Sequence, residues 1–271
     1  MQATSIFNRV LLLTDFSDYS RNAVMYAINA LGNRSSYVLL NSYNCRTSAS
    51  TFIDINEIAH KESEYQLKEE MTWVINQFPD IELDIVFDCQ QGKPVNVVKK
   101  YWEDADLVVM GAKGTSKSDK FLNGSTFDSV LNGLHCPILC IPIGADYRMM
   151  EKVALANDLK YMSKESNMAV IRALKGYFNC DITSLSMQPR GWTPSKEESR
   201  LMELLNKRKF LKNVHIVEND NTSEALLTFC FNHQIDLLVV ISRSRGFFGR
   251  IFKKNISQNL ISQTVMPVLV L

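Results

Sequence analysis

Residues 106–114 read Asp-Leu-Val-Val-Met-Gly-Ala-Lys-Gly, and nine residues further on comes Gly124-Ser125. Residues 107–110 are apolar without alternation, the pattern of a strand buried on both faces. A Gly/Ser/Lys loop leaves that strand, and helical spacing resumes over residues 127–134. Strand, glycine loop, helix is the unit of an α/β fold, in which short apolar strands form a parallel sheet covered by helices on both sides.

The chain repeats this unit in both directions. Upstream, residues 10–13 form an apolar run, Asp15 and Ser17 offer a helix start, and Gly32 closes a helix carrying Ala23, Ala27, Ile28 and Leu31. Strands are expected at 37–40 and 81–87, with helices at 55–78 and 95–102, the latter opened by Pro94. A strand at 137–141 ends the first series. The same order then returns: strands at 153–156, 182–185, 214–217, 237–241 and 267–271, with helices at 168–174, 196–210, 223–233 and 256–264. Leu-His-Cys-Pro-Ile-Leu-Cys-Ile at 134–141 echoes Thr-Val-Met-Pro-Val-Leu-Val-Leu at 264–271. Two domains of one fold are therefore expected, 1–146 and 147–271.

Composition sets outer limits. With 271 residues, 46% apolar and 22% charged, the chain is an ordinary globular protein, long enough for two small domains. A formal net charge of +1 supplies no bulk attraction to nucleic acid. No apolar run approaches the ~18 residues of a membrane span, and the polar start of the chain carries no signal-peptide pattern. A cytoplasmic, soluble protein is the expectation. Six cysteines lack any C-x-x-C pair, and Cys89, Cys140, Cys180 and Cys230 sit in apolar, periodic surroundings suited to reduced core thiols. The four histidines show no ligand spacing, so no zinc site is expected.

The chemistry concentrates after the fourth strand. Gly111-Ala112-Lys113-Gly114, nine residues, then Gly124-Ser125 is the pattern G-x-x-G-x9-G-[ST]. Glycines allow tight turns and let phosphate oxygens approach main-chain N–H groups. A helix start at Ser125 favours an anion through its N–H groups and dipole, Ser125 and Thr126 add hydroxyls, and Lys113 adds positive charge. In open parallel sheets ligands bind beyond the carboxyl ends of the strands, at the switch point.

At this stage the sequence resembles the universal stress protein family, through V-L-L-L-T-D-F-S-D-Y-S at 10–20, D-L-V-V-M-G-A-K-G at 106–114, G-S at 124–125 and C-P-I-L at 136–139. The repeat makes it similar to a tandem member. The resemblance implies a Rossmann-like, doubly wound five-stranded sheet of order 3-2-1-4-5 in each half. It also implies that the halves pack as an intrachain pseudo-dimer, like the subunits of the family's dimers, and leaves a further homodimer open. It implies a site for ATP, AMP or ADP in the first half, with Mg²⁺ an open companion. Asp15 would contact the adenine or ribose side, and main chain around Ser42 would line the base pocket. Met110 and Gly111 would hold the ribose. Ala112, Lys113, Gly114, Gly124, Ser125 and Thr126 would hold the phosphates. Two positions depart from the family pattern: Leu13 replaces a frequent proline and Ala112 a frequent polar residue.

The second half keeps Asp158 but carries Gly246 and Gly249 late and Lys254-Asn255 where Gly124-Ser125 would fall, so its phosphate cradle reads as lost. Simpler readings stand beside the sharp ones. Asp15 could instead cap the first helix, and Asp104 and Asp106 could belong to a solvated turn instead of a carboxylate pair. No Ser/His/Asp or Cys/His set is legible and no general base lies near the loop, so efficient hydrolysis is not expected. The expected function is a nucleotide-dependent stress-response regulator with an unnamed protein partner. The alternatives are a scaffold whose relic loop binds nothing, and a slow ATPase.

Overall fold

The computed structural model describes residues 6–44, 55–112, 129–131, 133–134, 136–157, 165–188, 190–207, 211–218, 222–241 and 266–271. The chain divides into two compact units, one drawn from residues between Phe7 and Tyr147, the other from Arg148–Leu271.

The first unit contains β1 (Arg9–Leu13), α1 (Asp18–Leu31), β2 (Ser36–Tyr43), α2 (Ile55–Gln77), β3 (Asp84–Gln91), α3 (Pro94–Val98), β4 (Leu107–Ala112) and β5 (Ile138–Pro142). Its strands are parallel and ordered β3-β2-β1-β4-β5. The centre of the sheet is the driest part: Val10, Leu11 and Leu12 of β1 and Val108 of β4 are fully buried. Each such side chain contributes about 1.5–3 kcal/mol of hydrophobic stabilisation. The edge strand β3 has one wet face, and its burial alternates accordingly.

Local signals set the ends of α1. Ser17 is its N-cap, with its hydroxyl accepting from the Ser20 N–H at 3.3 Å. At the other end Gly32 takes φ 62 and returns its N–H to Ile28 O. Ala23, Ala27, Ile28 and Leu31 form the buried face.

The second unit contains β6 (Lys152–Asn157), α4 (Glu165–Phe178), β7 (Asp181–Gln188), α5 (Lys196–Asn206), β8 (Asn213–Glu218), α6 (Thr222–Asn232), β9 (Leu237–Ile241) and β10 (Val268–Val270). Its parallel strands are ordered β8-β7-β6-β9-β10. Each unit is thus the doubly wound sheet of order 3-2-1-4-5.

The repeat extends to single hydrogen bonds. Asp106, just before β4, accepts from the Asn8 and Arg9 N–H groups at 2.7 and 3.0 Å, and its own N–H donates to Arg9 O. Asp236, just before β9, accepts from Glu151 and Lys152 at 2.9 and 2.8 Å, and its N–H donates to Lys152 O. Likewise Val108 N–H donates to Pro137 O, and Leu238 N–H to Pro267 O. Asp106 is therefore a clamp on the start of β1, and the carboxylate-pair reading with Asp104 is set aside: Asp104 meets Arg9 instead, at 3.6 Å on the surface.

The strands expected at 37–40 and 182–185 and the helix expected at 168–174 extend to Ser36–Tyr43, Asp181–Gln188 and Glu165–Phe178, and two further boundaries shift for a visible reason. The third strand begins at Asp84 instead of 81, because the ladder with β2 runs from Ser36↔Asp84 to Tyr43↔Gln91 while Ile81 N–H closes a turn onto Phe78 O. The helix expected over 95–102 stops at Val98. Lys100 and Tyr101 N–H groups bond three residues back, and the Tyr101 hydroxyl is drawn to the Asp88 carboxylate.

Candidate functional site

The candidate site starts where β1 ends. Thr14 continues the β1–β2 ladder by one bond, its N–H donating to Leu40 O at 3.0 Å. Its buried hydroxyl accepts from the Phe16 N–H at 3.0 Å and shares a hydrogen bond with Ser20 Oγ at 3.2 Å. The resulting tight turn holds Phe16 at φ 64, a left-handed conformation rare for a bulky residue. Such backbone persists only where its surroundings enforce it, and it concentrates at ligand sites. The turn lifts Asp15 to the surface. Asp15 Oδ1 accepts from both the N–H and the hydroxyl of Ser17, while Oδ2 has no partner among the described residues. The helix-cap reading of Asp15 is corrected here: Ser17 caps α1, and Asp15 orients the cap.

Behind the turn lies a buried polar relay. Asn41 of β2 donates its amide to Thr14 O at 2.8 Å and accepts from the Ser63 hydroxyl of α2 at 2.8 Å. A buried asparagine with both ends satisfied fixes three elements relative to one another. Sequence reasoning passed over Thr14, Ser20, Asn41 and Ser63. The available signal was polar residues standing at apolar-periodic positions. Ser42, next along β2, is half-buried and is the register partner of Gln90.

β4 lies beside β1, with Leu12 opposite Val109. Its last residues, Met110, Gly111 and Ala112, pair with Cys140, Ile141 and Pro142 of β5. The Met110 and Ala112 side chains are buried, so these residues offer a ligand mainly their backbone. Gly111 has a packing reason of its own: a Cβ there would stand 2.5 Å from the Tyr19 carbonyl oxygen of α1. The structure thus brings Asp15, Met110, Gly111 and Ala112 to the carboxyl ends of adjacent strands, with Ser42 one strand further along. Lys113, Gly114, Gly124, Ser125 and Thr126 lie outside the described residues, as do Asp158, Gly246, Gly249, Lys254 and Asn255. Residues 129–131 and 133 are helical, and Gly133 sits against Val95.

The thiols and the Tyr101 phenol of the two units behave as burial dictates. Burial pushes the Cys230 thiol up to about 12, and pushes Cys140 and Cys180 upward too. Tyr101 is pushed up to about 12, first by burial and then by its hydrogen bond to Asp88. Among the described residues no three or more His, Cys, Asp or Glu side chains gather to hold a metal, and no helix is long and apolar enough to cross a membrane.

Comparison with known proteins places this geometry. The sequence profile of the Universal stress protein family matches residues 7–142 and 181–271. A universal stress protein of Methanocaldococcus jannaschii is 26% identical over 145 residues, covering 51% of this chain and 83% of its own length. A crystal structure of a universal stress protein from Archaeoglobus fulgidus superimposes with a TM-score of 0.70 at 21% identity, covering 100% of this chain and 98% of the other. A putative universal stress protein from Pseudomonas aeruginosa gives a TM-score of 0.53 at 13% identity, covering 98% and 93%. The parallel sheets, the Asp15 turn beside the end of β4 and the match over both halves lead to one conclusion: the chain belongs to the universal stress protein family.

Proposed function

We propose that the first half, 1–146, binds one adenine nucleotide of the ATP, ADP or AMP class, and that 147–271 is a structural or docking half. The observation that carries this reading is the placement of the Asp15 turn next to the end of β4, from which the G-x-x-G-x9-G-S segment departs. An exposed carboxylate oxygen without a partner suits a ribose hydroxyl or an adenine amine, both donors. Met110 and Gly111 main chain would face the ribose and Ser42 main chain the base. Ala112, Lys113, Gly114, Gly124, Ser125 and Thr126 would surround the phosphates. Mg²⁺ would screen phosphate charge, since it is commonly held by few protein ligands there. None of these residues is a placed general base, so the protein acts by binding, as a regulator in stress response.

The scaffold reading draws on Gly111, whose missing side chain is already explained by Tyr19. Mass spectrometry of small molecules released on denaturing the purified protein separates the two. Stoichiometric adenine nucleotide supports the proposal, and its absence after growth at millimolar cellular ATP supports the scaffold. A phosphate-release assay checks the regulatory role: turnover in the range of dedicated enzymes, roughly 1–10³ per second, would contradict it.

A further inference from the structure

β8 is an edge strand of the second unit: it pairs with β7 on one side and, among the described residues, with no strand on the other. Asn213, His215, Ile216 and Glu218 are exposed, and successive residues point to opposite faces, so both faces of the strand reach solvent. The edge strand of the first unit, β3, carries Asp84 and Asp88, charges of the kind that discourage strand pairing. The middle of β8 has no such guard. Val214-His215-Ile216-Val217 holds three β-branched residues and no Pro, Gly, Asp, Glu, Lys or Arg. α6 backs the strand, with the Phe229 and His215 rings 5.7 Å apart. An edge of this composition, already held in extended form, is a template for another strand.

The ends of β8 identify that strand. Residues 212–218 read Lys-x-Val-x-Ile-x-Glu, and these four side chains share one face. Reversed about His215, the pattern is its own complement. We propose that β8 pairs antiparallel with β8 of a second copy of this chain, about a two-fold axis at His215. Lys212 then stands opposite the partner's Glu218, Val214 opposite the partner's Ile216, and symmetry repeats both pairs. Opposite charges across a ladder stabilise it and like charges oppose it. The ends therefore select this orientation over a parallel, in-register one, which sets lysine against lysine. Both groups have capacity to spare. Lys212 Nζ meets Asp181 at 2.5 Å and Glu218 accepts from the Gly191 N–H at 3.2 Å, while an ammonium offers three donors and a carboxylate about four lone-pair sites. The contact uses the same patch on both copies, so it closes as a dimer and does not propagate into a filament.

This proposal does not rest on nucleotide binding. The test is sedimentation velocity of the full-length, reduced protein from low to high micromolar concentration, where a reversible monomer–dimer equilibrium is expected. Lys212→Glu sets glutamate against glutamate twice and weakens dimerisation at least about tenfold. Adding Glu218→Lys to it restores the dimer. His215→Cys, at the axis, gives a disulfide-linked dimer with oxidised glutathione, because directly opposed Cα atoms about 4.5–5.5 Å apart suit a disulfide. Lys212→Cys, far from its own counterpart, does not. All of these positions are exposed, and circular-dichroism melts check that each variant folds. A parent protein that stays monomeric throughout overturns the proposal. So does a dimer indifferent to Lys212→Glu, or cross-linking of His215→Cys no faster than that of Lys212→Cys.

Discussion

A methyl group on residue 111 would stand 2.5 Å from the Tyr19 carbonyl oxygen, and main chain on a helix cannot step aside as a side-chain tip can. Gly111→Ala is therefore predicted to destabilise the first half by about 1–3 kcal/mol through overpacking, read as a lower urea midpoint. Asp15 is the opposite case. It is exposed and does not cap α1, so Asp15→Ala is predicted to change stability by no more than about 0.5 kcal/mol. Its effect falls on nucleotide affinity, measurable by equilibrium dialysis. A third prediction concerns Glu70, which is 1% exposed, pairs with Arg21 through Oε2 at 2.8 Å, and leaves Oε1 unsatisfied among the described residues. Removing the partner strands a buried charge, a loss of about 3–5 kcal/mol in fully buried pairs. Arg21 is itself 42% exposed, so screening reduces this and the low end applies to Arg21→Met. The double variant with Glu70→Leu recovers most of the loss, because the stranded carboxylate is gone.

At the scale of elements, the clamps before β4 and β9 do equal work. Each carboxylate satisfies two N–H groups at the start of a central strand. Asp106→Ala and Asp236→Ala are each predicted to cost about 1–3 kcal/mol, by chemical denaturation. Asp106→Asn, which keeps one acceptor oxygen, should cost less. The central strands were legible in the sequence because burial on both faces leaves an unbroken apolar run, Leu-Val-Val-Met at 107–110 and Leu-Leu-Val-Val-Ile at 237–241. The edge strand β3 was misplaced because its alternation is weak and its start is set by the ladder to Ser36, a tertiary fact. α3 ends where the Lys100 and Tyr101 N–H groups turn to partners three residues back, which no apolar periodicity encodes. At the site, Asp15 was visible from its place after an apolar run. The Thr14–Asn41–Ser63 relay was not, since its members are distant in sequence and join only through the fold.

In the whole molecule, two units of equal topology differ in sequence after their fourth strands, and Cys89, Cys140, Cys180 and Cys230 are buried. Cys230 has its folded pKa raised from 9.0 to about 12, and Cys140 is raised in the same direction, so the folded state holds these protons more tightly than the unfolded chain. The stability that accompanies this is fully present below pH 9 and is lost as pH rises from there toward the folded values. Unfolding followed from pH 7 to 11 should show stability falling in the alkaline range, with Cys140→Ala and Cys230→Ala flattening the fall. Isothermal calorimetry of the full-length protein with ATP separates binding by one half from binding by both or by neither. Saturable binding with a stoichiometry near one per chain is expected, abolished by Gly114→Asp and untouched by Gly246→Asp. No heat at millimolar ATP, or equal binding by both halves, would contradict it.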